Sequence, residues 1–200
     1  MKAACVAAHN EMTEMKIAQI EAAVRARAPR KIAPRPQTLV AAVALILRER
    51  DREAETLLIK RVNRVGDPWS GQVALPGGRR AGSESLIETA IRETKEEVGI
   101  DLSAEGRVLG ALDDIKGHID AIVTPFVAEV RGPVHVDPNA EVASYDWVPL
   151  NRLERYVYVD IPSSHETLRR RAYRVNEFLI WGLTYRILSR AIRLAKRVND

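Results

Sequence analysis

Cysteine and long apolar runs are scarce in this chain of 200 residues, and each scarcity excludes a class of protein. Cys5 is the only cysteine, so no internal disulfide can form, and we expect a reducing, cytoplasmic location. The longest apolar run, 39–47, is less than half the roughly 20 residues that a membrane-spanning helix requires, so we expect no membrane partner. The first residues also lack the apolar core of a secretory leader.

Aromatic content and net charge are low as well. Aromatics make up 5% of the chain, and 31 basic against 27 acidic residues leave a formal charge of +4. A charge this small does not by itself indicate a nucleic-acid partner. An apolar content of 46% is ample for a buried core. A proline-rich stretch at 28–37 follows an apolar, helically periodic one at 11–28. We therefore predict an N-terminal helix and linker over 1–37 and a single domain over 38–200.

Hydrophobic periodicity predicts strands and helices in mixed order. The apolar run at 39–47 indicates a strand covered on both faces, and a charged turn separates it from a second strand at 56–61. A helical period from Ser83 to Val98 is closed by Gly99. Further strands are predicted at 106–112, 119–130 and 142–148, a short helix at 148–156, and a long final helix at 176–198. This order indicates an α/β fold in which helices cover a mixed β-sheet.

Three acids share one face of the helix that the period predicts. Glu93, Glu96 and Glu97 stand at spacings i, i+3 and i+4, where like charges repel by a few tenths of a kcal/mol per pair, about 0.2–0.5. A bound cation offsets that repulsion, and carboxylate oxygens suit Mg²⁺ or Mn²⁺. The preceding loop, 76–78, contains two glycines that let a ligand approach the backbone closely. The residues alone are compatible with a metal site and with a solvated charged face.

The segment from Gly78 to Ile100 resembles the Nudix box, G-x5-E-x7-R-E-U-x-E-E-x-G-U, in which U is a bulky aliphatic residue. The matching residues are Gly78, Glu84, Arg92, Glu93, Glu96, Glu97, Gly99 and Ile100. Thr94 occupies the first U position and departs from the pattern. The resemblance implies a Nudix-type α/β/α sandwich with a mixed β-sheet and a loop-helix-loop box. It also implies an enzyme that hydrolyses a nucleoside diphosphate linked to another group.

The same resemblance implies a metal site and its ligands. Glu93 and Glu97 would bind Mg²⁺ or Mn²⁺ directly, and Glu96 would bind a further metal or its water. The carbonyl of Gly77 or Gly78 would be an additional ligand. Bound metal would neutralise the pyrophosphate and lower the pKa of a water molecule.

Two further roles are implied by position. Arg92 would orient Glu93 through a salt bridge. Arg92 and Glu97 would both be catalytic residues. A carboxylate would take the proton of the attacking water. That base is Glu96 or Glu141, and the further candidates are Asp113, Asp114 and Asp137.

Two other stretches resemble the coenzyme A pyrophosphatase branch of that family. The stretch 178–188 is similar to a Trp-Gly-x-Thr helix near the end of that branch. The stretch 57–78 matches the pattern before the box at Leu57, Leu58, Arg61, Gly71, Pro76, Gly77 and Gly78. It departs from that pattern at Ile59, Val62 and Leu75, and its loop is one residue longer.

That branch implies coenzyme A or its thioesters as a small-molecule nucleotide substrate, giving 3′,5′-ADP and 4′-phosphopantetheine. The extra 3′-phosphate requires cations, and the predicted substrate-binding residues are Lys60, Arg61, Arg64, Gly78 and Arg79, with Arg80 nearby. Alternatives with the same chemistry are ADP-ribose, NADH, dinucleoside polyphosphates and nucleoside triphosphates. A non-catalytic nucleotide-sensing or RNA-binding module is an alternative of a different class. The oligomeric state is open, and a homodimer is one arrangement.

Two basic stretches complete the sequence features. One is the run 169–171, and the other is a stripe on the final helix formed by Arg186, Arg190, Arg193 and Arg197. Such stretches fit nucleic acid or an anionic membrane. A solvated helix face is the expected role of the stripe.

Overall fold

The computed structural model describes residues 15–67, 69–117, 120–162 and 167–198. Three helices, eleven strands and one 3-10 helix lie within these ranges. In chain order they are α1 (Ile17–Arg25), β1 (Leu39–Arg50), β2 (Glu53–Arg61), β3 (Val73–Ala74), β4 (Gly77–Arg79), α2 (Leu86–Val98), β5 (Gly106–Ala111), β6 (Ile115–Lys116), β7 (Ala121–Val130), β8 (Val142–Pro149), the 3-10 helix (Leu150–Leu153), β9 (Val157–Pro162), β10 (Thr167–Val175), β11 (Phe178–Ile180) and α3 (Gly182–Lys196).

Strand β1 lies in the middle of the main sheet. It pairs antiparallel with β2 and parallel with β7, within the order β3-β2-β1-β7-β5. Strands β4, β6 and β8 add to β1, β7 and β2. The apolar residues of β1 do not alternate with polar ones because both faces of the strand are covered. Leu45 and Leu47 belong to one hydrophobic cluster, and Ala44 and Ile46 to the other. The predicted mixed sheet and the β1–β2 hairpin are confirmed.

Helices cover both faces of this sheet. Helix α2 ends in the cluster that contains Ala44 and Ile46, through Val98. Helices α1 and α3 cover the opposite face together, through Ile20 and Leu188. This α/β/α arrangement confirms the predicted fold class. Across the described part of the chain, no helix is both long and apolar enough to cross a membrane.

Helix α1 is shorter than the stretch predicted at 11–28, of which 11–14 lie outside the described residues. Its apolar side, formed by Ile17, Ile20 and Val24, is buried in the same cluster as the sheet. The linker after it contains no helix or strand in the structure. The N-terminal segment therefore packs against the sheet instead of extending away from it.

The final helix begins later than predicted, because the first residues of the stretch 176–198 form a strand. Strand β11 pairs with β10, and the turn between them contains Asn176 at a φ of 51°. A positive φ is a turn conformation that asparagine tolerates and a helix interior does not. Strands β9, β10 and β11 form a second, three-stranded sheet that was not predicted. The short helix predicted at 148–156 is confirmed only as a 3-10 turn.

Candidate active site

The loop before helix α2 is held against the centre of the sheet. Strand β4 pairs with β1, and Gly77 is opposite Val43. Gly77 has a φ of 147°, and a Cβ atom at this position would overlap the carbonyl oxygen of Ala42. Only glycine allows this close approach of two backbones. The Gly77 N–H is thereby directed at helix α2.

Helix α2 has well-defined ends that hold its acidic residues in register. The Ser85 side chain accepts a hydrogen bond from the Glu88 backbone N–H, and the Glu88 side chain in turn accepts one from the Ser85 backbone N–H. This reciprocal pair is a capping box. Gly99 closes the other end in the left-handed conformation, at a φ of 75°. The predicted glycine cap is confirmed.

Glu97 is the most buried acid of the predicted cluster, at 4% exposure. Its Oε2 atom accepts a hydrogen bond of 2.8 Å from the Gly77 N–H, and the Arg61 guanidinium lies 3.7 Å from its Oε1 atom. Burial raises the pKa of Glu97 to about 7, against the opposing effects of these two neighbours. A carboxylate in this environment gains free energy from a cation that replaces its lost water.

Glu93 lies one turn away and is packed against the glycine loop. A Cβ atom at position 78 would overlap the Glu93 carboxylate, so glycine at this position makes room for it. Burial raises the pKa of Glu93, although Arg92 opposes the shift from 2.9 Å. Gly77 therefore contacts the buried Glu97, and Gly78 contacts the partly buried Glu93.

Arg92 connects the acids of the box to one another. Its Nε atom donates to Glu84 at 3.0 Å, and its Nη1 atom lies 2.9 Å from Glu93 and 3.0 Å from Glu96. Its Nη2 atom also donates to the Arg79 carbonyl. Hydrogen bonds from Arg92 and from the Ala81 N–H lower the pKa of Glu84 to about 2. The geometry matches the predicted contact of Arg92 with Glu93.

Glu96 differs from its two neighbours because its side chain is 56% exposed. Arg92 is the partner of Glu96, and the Glu93 side chain, which shares that partner, is only 18% exposed. An exposed carboxylate beside less accessible ones can exchange ligands or protons with water.

The basic residues that were predicted to bind substrate do not lie together in the structure. Arg61 faces helix α2 and also binds Asp67 at 3.1 Å, whereas Lys60 lies opposite Val73 on the other face of β2. Successive residues of a strand point to opposite faces, so the structure brings Arg61, but not Lys60, to the acids. Arg79 is exposed beside the box and contributes its carbonyl to Arg92. Arg80 is also exposed.

Arg64 lies in the loop between β2 and β3 and pairs with Glu141 at 3.3 Å. The backbone supports this contact, because the Val62 N–H donates to the Glu141 carbonyl. The Glu141 loop is tied in turn to the end of α2, where the Asn139 N–H donates to the Glu97 carbonyl. Glu141 is therefore beside the carboxylate helix, as its prediction as a catalytic base requires.

The other predicted base candidates have different surroundings. Asp137 lies at the end of α2, where its N–H donates to the Val98 carbonyl. Asp113 accepts hydrogen bonds from Arg27 and Arg30, and Asp114 accepts one from Lys31, so both hold the N-terminal linker. The structure gives these two acids partners far from the box in sequence.

Sequence reasoning missed Asp67 and Asn139, which shape the loops beside the acids. Asp67 binds Arg61 and also accepts from the Trp69 N–H at 2.9 Å. Asn139 accepts from the Glu141 N–H at 2.8 Å. Both contacts span two residues, which is the pattern of an Asx turn. The sequence signal for these turns is an Asp or Asn next to proline or glycine.

The acids suit a divalent metal in their chemistry. Among the described residues, no three acidic, histidine or cysteine side chains already converge on one point as a preformed cage. Glu97 is nonetheless a buried carboxylate and Glu93 a partly buried one, both of raised pKa, with an exposed third beside them. An oxygen-only donor set of this kind fits Mg²⁺ or Mn²⁺ better than softer metals.

Comparisons with known proteins agree with this site. The family profile described as the NUDIX domain matches residues 38–170. The Nudix hydrolase NudL of Yersinia enterocolitica is 39% identical over 153 residues, covering 74% of this chain and 76% of that protein. NudL of Photorhabdus laumondii is 36% identical over 149 residues, covering 72% and 78%. A solved MutT/nudix family protein from Enterococcus faecalis has a TM-score of 0.58 at 17% identity, covering 92% of this chain and 70% of that one, and shares the fold.

Proposed function

We propose a substrate and a set of catalytic roles from the premise that this chain belongs to the Nudix hydrolase family. Membership makes it a pyrophosphohydrolase that acts on nucleoside diphosphate derivatives. The substrate that we propose is coenzyme A or one of its thioesters, cleaved with Mg²⁺ or Mn²⁺ to 3′,5′-ADP and a 4′-phosphopantetheine product.

One observation carries the choice of substrate. The stretch 57–78, which resembles the coenzyme A pyrophosphatase branch, contacts the carboxylate helix directly, because Arg61 lies 3.7 Å from Glu97. The same stretch contributes Arg64, which is half-exposed beside Glu141. Coenzyme A has one phosphate more than ADP-ribose or NADH, and guanidinium groups bind phosphate bidentately. These arginines would supply charge for the pyrophosphate and the additional 3′-phosphate.

The acids of α2 would hold the metal. Glu93 and Glu97 would ligate it directly, Glu96 would bind a further ion or its water, and the carbonyl of Gly77 would complete the set. Bound metal would neutralise the pyrophosphate and lower the pKa of a water molecule. Arg92 would keep Glu93 oriented, since it contacts that carboxylate at 2.9 Å.

Proton transfer from the water requires a base near this set. Glu96 is 56% exposed and Glu141 is 43% exposed at the side chain, so both have access to water. Separate Glu96→Gln and Glu141→Gln variants would identify the base. Loss of the acidic limb of the pH–rate profile in one variant and its retention in the other, both at saturating metal, would assign the role to the first residue.

The substrate is tested by a panel assay. Purified protein would be incubated with Mg²⁺ and then with Mn²⁺ against coenzyme A, acetyl-coenzyme A, ADP-ribose, NADH, diadenosine polyphosphates and nucleoside triphosphates. Chromatography would follow the products. We expect the highest kcat/KM for coenzyme A or its thioester. A higher value for another compound would contradict the proposed substrate and leave the hydrolytic chemistry standing.

The metal site is tested by Glu97→Gln. We expect hydrolysis to fall on the order of 100-fold or more, because the amide is a weaker ligand and carries no charge. Thermal unfolding should still be cooperative, because the amide retains the acceptor for the Gly77 N–H. Glu49→Gln, at an exposed position of β1, is the matched control and should keep full activity. Full activity in Glu97→Gln would contradict the metal site.

A further inference from the structure

The hairpin of β9 and β10 extends beyond the main core. Along β10, Tyr173 and Ala172 are buried, whereas the preceding residues 169–171 are exposed. The Tyr173 hydroxyl contacts Ser189 of α3 at 2.8 Å, which anchors the base of the hairpin. Most residues of its outer half are exposed, and it belongs to the second sheet rather than to the sheet that carries the carboxylate site.

Aromatic and cationic side chains alternate on one face of this hairpin. Tyr156 and Tyr158 are 43% and 51% exposed, and their rings meet edge to face at 5.6 Å between centroids. The Arg171 guanidinium lies 4.5 Å from the centroid of the Tyr156 ring, and that of Arg169 lies 4.6 Å from the centroid of Tyr158. The four side chains form a row of planar groups, each of which keeps an exposed surface.

The arginines of this hairpin lack acidic partners in the described ranges. Arg169, Arg170 and Arg171 form no ion pair with a described carboxylate, and the same holds for Arg155 and Arg174. Elsewhere, some arginines are engaged, as Arg92 and Arg107 are with several acids, whereas Arg35, Arg52 and Arg80 also form no ion pair with a described carboxylate. The helix stripe is partly engaged too, because Arg186 and Arg190 donate to backbone carbonyls at 2.8 Å and 3.4 Å. Arg169 and Arg171 differ from these arginines because each guanidinium lies over an exposed tyrosine ring.

We propose that this hairpin surface, formed by Tyr156, Tyr158, Arg169 and Arg171, binds single-stranded nucleic acid. Its bases would stack on the tyrosine rings and the guanidinium planes, and its phosphates would pair with the free charges. Stacking platforms with basic flanks are the general chemistry of single-strand binding. The binding is independent of the hydrolytic function proposed above.

Charge complementarity favours this partner over a second copy of the chain. Two copies that met at this hairpin would place two sets of unpaired arginines against each other and would repel. An anionic bilayer would attract the arginines, but it has no planar groups to stack with the rings. Binding that weakens when the aromatic rings are removed therefore distinguishes nucleic acid from a membrane as the partner.

The experiment measures fluorescence anisotropy of a labelled single-stranded RNA of mixed sequence, about 20 nucleotides long so that it exceeds common single-strand sites. We expect the full chain to bind it, and the affinity to fall with salt. Arg169→Ala combined with Arg171→Ala should weaken binding about tenfold and lower the salt slope by about 1.4, or 0.7 for each lost phosphate contact. Tyr156→Ala combined with Tyr158→Ala should weaken binding by about five- to tenfold, whereas the two phenylalanine substitutions should not.

A matched control removes the same charge elsewhere. Arg50→Ala combined with Arg197→Ala, at two exposed positions, should keep most of the affinity, and all variants should keep full hydrolase activity. Absence of RNA binding at low salt would overturn the proposal. So would an equal loss in the control and the Arg169/Arg171 variant. Binding to phosphatidylserine vesicles without binding to RNA, or dimerisation that the hairpin substitutions abolish, would replace the proposed partner by a membrane or a second copy.

Discussion

The substitution Asp113→Asn tests how firmly the N-terminal segment is attached. The Asp113 side chain is 5% exposed and accepts hydrogen bonds from the Arg27 guanidinium and, at 2.9 Å, from the Arg30 backbone N–H. Arg190 of α3 lies 3.7 Å from the same carboxylate. An asparagine keeps the shape of the side chain and removes its charge, so the positive groups around it lose their counter-ion.

The expected cost follows from the burial of each partner. Removing one member of a buried charge pair costs about 3–5 kcal/mol. The partners here are less buried, since Arg27 is 30% exposed and Arg30 is 85% exposed, so the Arg30 contribution is discounted for solvent screening. We expect a loss of about 2–3 kcal/mol in the free energy of unfolding, which corresponds to about 5–10 °C in Tm for a chain of this size.

The pH dependence of this loss has a defined sign. Burial alone would raise the pKa of Asp113, but the Arg30 N–H and the charges of Arg27 and Arg190 outweigh it and lower the pKa. A carboxyl with a lowered folded-state pKa stabilises the protein above its unfolded pKa, and this stabilisation is lost as pH falls through the folded value. The difference between the wild type and Asp113→Asn should therefore be full near pH 7 and shrink below about pH 4.

Urea denaturation at pH 7 and across the acid range measures both effects. Asp160→Asn is the matched control, because Asp160 is exposed, and we expect a change within about 0.5 kcal/mol. A loss below about 0.5 kcal/mol in Asp113→Asn would refute the reasoning, since surface changes alone are of that size. A loss that stays constant down to acid pH would show that the charge of Asp113 is not its cause.

Three other changes test the site and the packing. Gly78→Ala should displace Glu93 and lower kcat about 100-fold at little cost in Tm. Gly132→Ala, where there is open space but a φ of 78°, is the control for backbone strain without a clash and should keep activity; equal activity in the two variants would contradict the close packing at Glu93. Thr94→Val should raise the free energy of unfolding by about 1 kcal/mol in urea, because the buried Thr94 hydroxyl has no hydrogen-bond partner among the described residues; a loss would reveal a hydrogen bond to water. Ile20→Ala should cost about 2–4 kcal/mol in the same assay, and a cost near zero would mean that α1 does not pack on the sheet in solution.

Local periodicity is sufficient to predict helix α2 and strand β1 of the site, but not the short strands β3 and β4 before the helix. Helix α2 was predicted because its apolar residues recur at helical spacing and Gly99 ends it, and both features act within a few residues. Strand β1 was predicted because an unbroken apolar run fits a strand that is covered on both faces. The resemblance of the box then connected these elements to a family fold.

Contacts between distant residues could not be predicted in this way. Asp113 and Asp114 are candidate bases by sequence, yet the N-terminal residues that they hold lie more than eighty residues earlier in the chain, as the separation of 86 between Arg27 and Asp113 shows. No local pattern contains that pairing. Lys60 and Arg61 are adjacent in sequence, but the alternation of β2 sends them to opposite faces.

The predicted start of the final helix, at residue 176, is wrong for a different reason. The spacing of Phe178 and Trp181 fits one face of a helix. The same spacing also fits a short strand followed by the N-cap residue of a helix. Asn176 and Gly182 both adopt positive φ values, of 51° and 62°, and they delimit the strand β11. These two residues were visible as turn signals, but the apolar period outweighed them.

The packing of α1 against α3 joins two elements that lie far apart along the chain. A helix of nine residues is too short to persist alone, so α1 depends on its contacts with α3 and with the sheet. Contacts between such distant segments form slowly and leave folding intermediates open to aggregation. The helical structure of α1 should therefore become stable only late in folding, after the sheet that it covers has formed.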